Sequence, residues 1–301
     1  MIMHVAWEVN FRLRLRSFAK DSIGGKYRRL LSTLNHSSNI ISGVQNLINL
    51  ALLSPNREPP RFLFCSSVAS AMSSITSPIP ERVLNDPASA SPLGYSRSKW
   101  VAEHICSRAH DTTCLRGRIA AFRVGQLAGD TQLGIWNAKE AYPMMLSTVK
   151  LTGSLPRLEN EVLNWLPVDL AAQAFMEAAM NMGGSSEEEM RVYHVLNEYT
   201  TPQWTDLLGW LSKREKFDSV SPVEWIEKLE ALQESHPENS AMKLLGHWKK
   251  AYCGGSGEKE EKAALQWEMR GTKSVAPVLK DVKPVDEEYF VKIWNWLKKN
   301  I

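Results

Sequence analysis

Tyr95 and Lys99 stand four residues apart in Gly94-Tyr95-Ser96-Arg97-Ser98-Lys99. On a helix that spacing puts both side chains on one face, one turn from each other. A tyrosine is a poor acid at neutral pH, with an ordinary pKa of ~10. An ammonium one turn away favours the phenolate, lowers that pKa and makes the hydroxyl a usable proton donor. Ahead of the pair, the apolar run Phe62-Leu63-Phe64-Cys65 closes on Ser66-Ser67, and Ser67 precedes Tyr95 by 28 residues. Such a run reads as a buried parallel strand whose carboxyl end presents a hydroxyl. Serine, tyrosine and lysine together can polarise a carbonyl and protonate it as hydride arrives. A Tyr-x-x-x-Lys pair alone is ordinary helix surface, so the elements around it carry the weight.

Those elements alternate. Ser91-Pro92 reads as a capping hydroxyl followed by proline at the first helical position, which starts the helix of Tyr95 and Lys99. Ala120-Ala121-Phe122-Arg123-Val124 is a second strand, running into the glycine-bearing loop Gly125-Gln126-Leu127-Ala128-Gly129. Residues 43–53 are apolar at helical spacing, Pro59-Pro60 marks the entry to the first strand, and 191–197 form a further short strand. The economical fold is α/β, a parallel sheet with helices up to about residue 200. Residues 204–211, 222–232, 241–252 and 289–297 then read as helices. Trp204, Trp210, Trp225, Trp248, Trp267, Trp294 and Trp296 fall in this last third and read as helical core. The expected division is 1–200 as a dinucleotide-binding domain and 201–301 as a mainly helical substrate-side subdomain.

Composition excludes other classes. A net charge of +3 is too small for a nucleic-acid binder, and 44% hydrophobic with 23% charged residues is ordinary for a globular chain. Arg12, Arg14, Arg16, Lys20, Lys26, Arg28 and Arg29 read as a solvated face. Cys65, Cys106, Cys114 and Cys253 have neither metal-ligand nor disulfide-framework spacing, and Cys65 reads as a small buried hydrophobe. No apolar run approaches the ~20 residues of a membrane span, and the apolar opening is broken at His4 and Glu8, unlike a signal peptide. A reducing, cytoplasmic setting is expected.

Four blocks carry a resemblance. They are His4-Val5-Ala6, the run from Gly94 to Glu103, Trp136-Asn137-Ala138-Lys139-Glu140-Ala141, and Asn164-Trp165-Leu166-Pro167-Val168-Asp169-Leu170-Ala171. Together the chain resembles the terminal thioester reductase domains of fungal nonribosomal peptide synthetases and carboxylic acid reductases, within the extended short-chain dehydrogenase/reductase superfamily. The resemblance implies NADPH-dependent reduction of an acyl thioester, held on a phosphopantetheinyl carrier protein or domain, to an aldehyde or alcohol in secondary metabolism. It implies Tyr95 as proton donor, Lys99 as the group that lowers its pKa and holds the nicotinamide ribose, and Ser67 as a hydrogen-bond donor to the substrate carbonyl. Cofactor contacts would come from Val5, Ala6, Ser66, Tyr95, Lys99, Val124, Gly125 and Gln126. Arg123 reads as an internal ion-pair partner, His4 as a satisfied core histidine and Asp169 as a helix N-cap. His194 and His247 carry no partner motif. The alternatives are another extended short-chain activity, such as a sugar-nucleotide epimerase, or a catalytically silent remnant of a larger synthetase.

Two departures stand out. The superfamily opens with a strand and a Gly-x-x-Gly-x-x-Gly turn that receives the dinucleotide pyrophosphate. Neither Gly24-Gly25 nor Gly254-Gly255-Ser256-Gly257 supplies it. The expected fold is therefore a Rossmann-like parallel sheet, truncated at its N-terminus so that it lacks its first βαβ unit, with weak NADPH binding. Residues 25–42 interrupt the family pattern, since deleting them joins Ser22-Ile23-Gly24 to Gly43-Val44. They read either as a polar surface loop or, because Gly25-Lys26-Tyr27 can be encoded by an intron donor sequence, as a translated intron.

Overall fold

The runs at Phe62 and Ile119 are apolar on both sides of the pleat, which suits strands covered on both faces. The computed structural model describes residues 1–9, 13–18, 43–182, 188–233, 240–253 and 265–300. In chain order the described elements begin with β1 (Ile2–His4), α1 (Leu15–Phe18), α2 (Val44–Leu52), β2 (Phe62–Ser67), α3 (Gly94–Thr112) and β3 (Ile119–Val124). They continue with β4 (Leu127–Ala128), α4 (Ala141–Ser147), α5 (Val149–Thr152), β5 (Ser154–Pro156), β6 (Leu166–Pro167), α6 (Val168–Asn181) and β7 (Arg191–Val195). The last are α7 (Trp204–Ser212), β8 (Asp218–Val220), α8 (Pro222–Leu232), α9 (Leu245–Trp248), α10 (Arg270–Val275) and α11 (Glu287–Asn300). The 25–42 segment and the Gly254-to-Gly257 run lie outside the described residues.

The chain divides into two compact units, each drawn from three separate stretches of sequence, where the sequence suggests a single boundary near residue 200. The first comprises Met1–Gly125, Ala171–Leu196 and Leu265–Asp281. Its sheet is parallel throughout, in the order β1-β2-β3-β7, with His4 beside Phe64, Ser66 beside Arg123 and Arg123 beside His194. Because the strands are parallel and in register, their carboxyl ends share one edge, where ligands of open α/β sheets bind. Val44, Ile48 and Ala51 of α2 and Ala102, Cys106 and Ala109 of α3 pack on Phe62, Phe64 and Ala121.

The second unit comprises Gln126–Leu170, Asn197–Ala264 and Val282–Ile301. Trp204, Trp225, Trp248 and Trp294 are almost wholly enclosed in its core, as expected for tryptophans on helices; Trp165, just before β6, joins them, whereas Trp210 and Trp296 are half-buried against that core. Trp267 is different. It lies in the first unit, bridges to Ile79 and packs edge-on against His194. Trp136 donates to Glu140 across one turn, which gives the Trp-Asn-x-x-Glu block a structural basis.

Helix α3 starts at Gly94, three residues after the expected cap; Leu93 occupies the cap position without a side-chain bond, and Ser91 instead hydrogen-bonds Ser96 at 2.5 Å. Gly94 is there because the chain before α1 crosses it closely. A Cβ at Gly94 would lie 2.1 Å from the Leu13 carbonyl oxygen and 2.8 Å from the Arg14 carbonyl carbon. Gly94→Ala is therefore expected to destabilise the protein by about 1–3 kcal/mol through overpacking. Denaturant unfolding measures it, and a variant as stable as the parent would contradict this close approach.

Candidate active site

Residues at positions 95, 99 and 103 recur one per turn on α3 and face the end of β2. Each turn engages a different residue of the strand. The Tyr95 phenol is hydrogen-bonded to Ser67. The Lys99 ammonium donates to the Cys65 carbonyl at 2.6 Å, and Glu103 accepts the Ser66 hydroxyl at 2.5 Å. Alternation along the strand separates the two serines. Ser67 stays half-buried at the strand end, whereas Ser66 is buried and turned onto Glu103.

Lys99 is 2% exposed, and its ammonium lies 4.2 Å from the centroid of the Trp7 ring and 5.1 Å from that of Phe64. Trp7 is held in turn by its indole N–H donating to Ser98 Oγ at 3.1 Å. Burial lowers the Lys99 pKa to about 8, against the charges of Cys65 and Glu103. Tyr95 departs from the expectation. Burial raises its pKa above the ordinary value, the Ser67 hydrogen bond works against that rise, and the Cys65 thiol adds to it. The Lys99 ammonium lies 5.8 Å from the centroid of the Tyr95 ring, and burial outweighs it. The phenol thus stays protonated, a state from which it can give up a proton.

Beneath these groups lies a second polar layer. Glu103 and Arg123 have no exposed side-chain surface and pair at 2.8 Å, with a second contact of 3.1 Å from Arg123 Nε. The carboxylate also accepts the Ser70 hydroxyl at 2.7 Å. The guanidinium donates to the carbonyls of Pro80 and Arg82 and lies 3.4 Å from His194 Nε2. His194 Nδ1 lies 2.7 Å from the Glu268 carbonyl. Burial, then the Arg123 charge, hold the His194 pKa down to about 3, so the ring is neutral. Arg123 is the internal ion-pair partner that the sequence suggests, but His194 is no bystander. Glu103, Ser70 and His194 were missed. The available signal was one acidic residue on the buried face of α3 and one basic residue inside an apolar strand.

The other sequence candidates spread more widely. Val5 and Ala6 are exposed just beyond the end of β1, on the same strand-end edge as Ser67. Val124 is half-buried at the end of β3, and a Cβ on Gly125 would come within 2.8 Å of Leu196 Cβ, so only glycine fits there. Gln126 opens the second unit and donates its amide to the Leu127 carbonyl at 2.7 Å. Cys65 is half-buried, so its carbonyl rather than its side chain is the feature of note. His4 is buried and stacks on Phe64, but its Nε2 has no hydrogen-bond partner, contrary to the satisfied core histidine expected. Asp169 sits inside the first turn of α6 and accepts the Thr131 hydroxyl at 2.6 Å, so it tethers a loop instead of capping the helix. Arg14 and Arg16 are exposed, as expected. Among the described residues there is no metal-binding cluster and no disulfide, and no helix is long and apolar enough to cross a membrane.

The strand-end edge fits the nicotinamide half of a dinucleotide, on the evidence of its own groups. It offers an enclosed ammonium and a protonated phenol at the carboxyl ends of parallel strands. Comparison with known proteins agrees. Residues 23–175 match the NAD-binding family model described as "Male sterility protein". The chain is 34% identical to the adenylate-forming reductase Nps11 of Serpula lacrymans over 60% of its length, and 30% identical to the adenylate-forming reductase stbB of Stachybotrys bisbyi over 81%. It spans only 14% and 21% of those relatives. In fold it resembles the terminal R domain of the myxalamid PKS-NRPS pathway, with a TM-score of 0.72 over 99% of this chain and 67% of that one, at 19% identity.

Glu103→Gln should cost about 3–5 kcal/mol, because it leaves the Arg123 charge buried and unpaired. Replacing both with apolar residues, Glu103→Leu with Arg123→Met, should recover much of that loss; denaturant midpoints of the three proteins decide it, and a fully additive double variant would contradict the pairing. Stability should also fall with acid. A neutral buried His194 contributes stability that is present above ~6.5, the unfolded value, and is lost as pH falls towards its folded value of about 3. His4, held at about 4 by burial and then by Lys99, acts in the same direction. Unfolding midpoints between neutral and acid pH should show this slope, and His194→Phe should flatten it.

Proposed function

Because the chain belongs to the male sterility protein family of NAD-binding proteins, and so is an oxidoreductase of the extended short-chain dehydrogenase type using a nicotinamide cofactor, we propose that it reduces an acyl thioester. The substrate would be presented on the phosphopantetheinyl arm of a carrier protein or domain, and NADPH would be the reductant. The product would be an aldehyde, or an alcohol after a second round, in a secondary-metabolic assembly line in the cytoplasm. Likeness to the adenylate-forming reductases supports the thioester, carrier and pathway. The observation that carries the chemistry is the Ser67–Tyr95 hydrogen bond with Lys99 one turn along α3, at the carboxyl ends of parallel strands.

A nicotinamide cofactor held beside Lys99 and Tyr95 would supply hydride chemistry at the carbonyl carbon. Ser67 and Tyr95 receive the carbonyl oxygen, and their hydroxyls stabilise its charge as it develops. Tyr95 then gives up its proton to that oxygen. The resulting hemithioacetal loses the thiol and leaves an aldehyde. Lys99, fixed by the Cys65 carbonyl, places its cationic head beside Tyr95, where it can hold the ribose hydroxyls of the cofactor. The enclosing Trp7 and Phe64 rings keep water from that ammonium and so strengthen its field.

In the intact protein, Tyr95→Phe should lower kcat for thioester reduction by ~100- to 10,000-fold, the usual span for a general acid. A rate within threefold of the parent would overturn the assignment. The pH profile provides an independent check. Lys99 in the free protein loses its charge as pH rises through about 8, so kcat/KM should be level below that pH and decline above it. A profile still level well above the Lys99 value would show that the ammonium charge is not needed.

A further inference from the structure

Ser66, Arg123 and His194 occupy one row across β2, β3 and β7, since Ser66 is the register partner of Arg123 and Arg123 that of His194. All three are buried, and so is Glu103, which meets the row from α3. A row of polar groups in a closed interior is costly unless each is satisfied. Here Glu103 takes Ser66, Ser70 and both sides of the Arg123 fork, and Arg123 spends its remaining donors on the Pro80 and Arg82 carbonyls.

The two serines bracket Ser67. Ser66 precedes it on β2, and Ser70 closes the short turn after it, donating its hydroxyl at 2.8 Å to the Ser67 carbonyl as well as to Glu103. Within that turn the Ala69 N–H donates to Ser67 Oγ. The backbone of Ser67 is thereby fixed on both sides by one carboxylate, while its side chain reaches Tyr95. The same carboxylate rides on the helix stripe that carries Tyr95 and Lys99.

We propose that Glu103 is a positioning residue for the reduction: clamped by Arg123, it fixes the Ser66-Ser67-Ser70 turn against α3 and so sets the distance and direction between the Ser67 and Tyr95 hydroxyls. Ser66 acts with it and is a positioning residue too, not a cofactor ligand. This rests on the reading of Ser67 and Tyr95 as the groups that receive the carbonyl oxygen.

The test removes the two hydroxyls that report to Glu103 while leaving the Glu103–Arg123 pair intact. In the intact protein carrying Ser66→Ala with Ser70→Ala, kcat should fall roughly tenfold to a hundredfold, the scale of a small misplacement of reacting groups. KM for the carrier-bound thioester should stay within twofold, because neither serine touches substrate. A second readout is independent of turnover. The ring-carbon resonance of Tyr95, identified by its loss in Tyr95→Phe, should shift in the double variant as its bond to Ser67 is disturbed. A kcat within twofold of the parent, or an unmoved Tyr95 resonance, overturns the positioning role. If Tyr95→Phe itself stays active, the functional reading falls and this inference with it. If Tyr95→Phe is inactive while the double variant turns over normally, only the role of Glu103 falls.

Discussion

Glu103 and Arg123 form an ion pair with no exposed side-chain surface, and the geometry above them depends on it. Removing two charges from water costs several kcal/mol per ion. The pair persists because every neighbouring polar group is arranged to repay that cost. Two serine hydroxyls turn to the carboxylate, two backbone carbonyls to the guanidinium, and a neutral histidine closes the row. Such an arrangement tolerates little displacement. A shift of α3 along the sheet would break several charge-assisted bonds together, so helix and strand are locked in one register.

That lock gives the site its order. Successive turns of α3 present Tyr95, Lys99 and Glu103, and the end of β2 answers them in turn with the half-buried Ser67 hydroxyl, the Cys65 carbonyl and the buried Ser66 hydroxyl. Tyr95 and Ser67 are the half-buried members of the set, and Lys99, Ser66 and Glu103 lie deeper. A protonated phenol and an ammonium of lowered pKa share this enclosure because burial disfavours the charged form of each. One is thereby kept ready to donate, and the other sits near the point at which it can exchange its proton.

The second unit is built on different terms. Its core combines leucines with enclosed tryptophans, four of them on helices, and polar ties such as Trp136 to Glu140 and Thr131 to Asp169 fix its loops. Large rigid rings fill volume at low conformational cost.

The sequence by itself determined the alternation of strand and helix, the parallel sheet, and the Ser67, Tyr95 and Lys99 set. These follow from local regularities: apolar runs with period-free burial, a four-residue spacing and a hydroxyl at a strand end. It also placed Arg123 in an ion pair, since a charge inside Ala120-Ala121-Phe122-Arg123-Val124 cannot remain unpaired. Tertiary structure decided the partner, Glu103, because a strand and a helix 20 positions apart meet only after the sheet has formed. It decided that Trp267 belongs with the sheet, that each unit is drawn from three separate stretches of sequence, and that His194 joins the buried row. It also decided the direction of the Tyr95 shift. Helical spacing puts an ammonium near the phenol, but only the folded surroundings bury the phenol deeply enough for desolvation to dominate its shift. Pair spacing is a local property of the chain, whereas desolvation depends on everything packed around it.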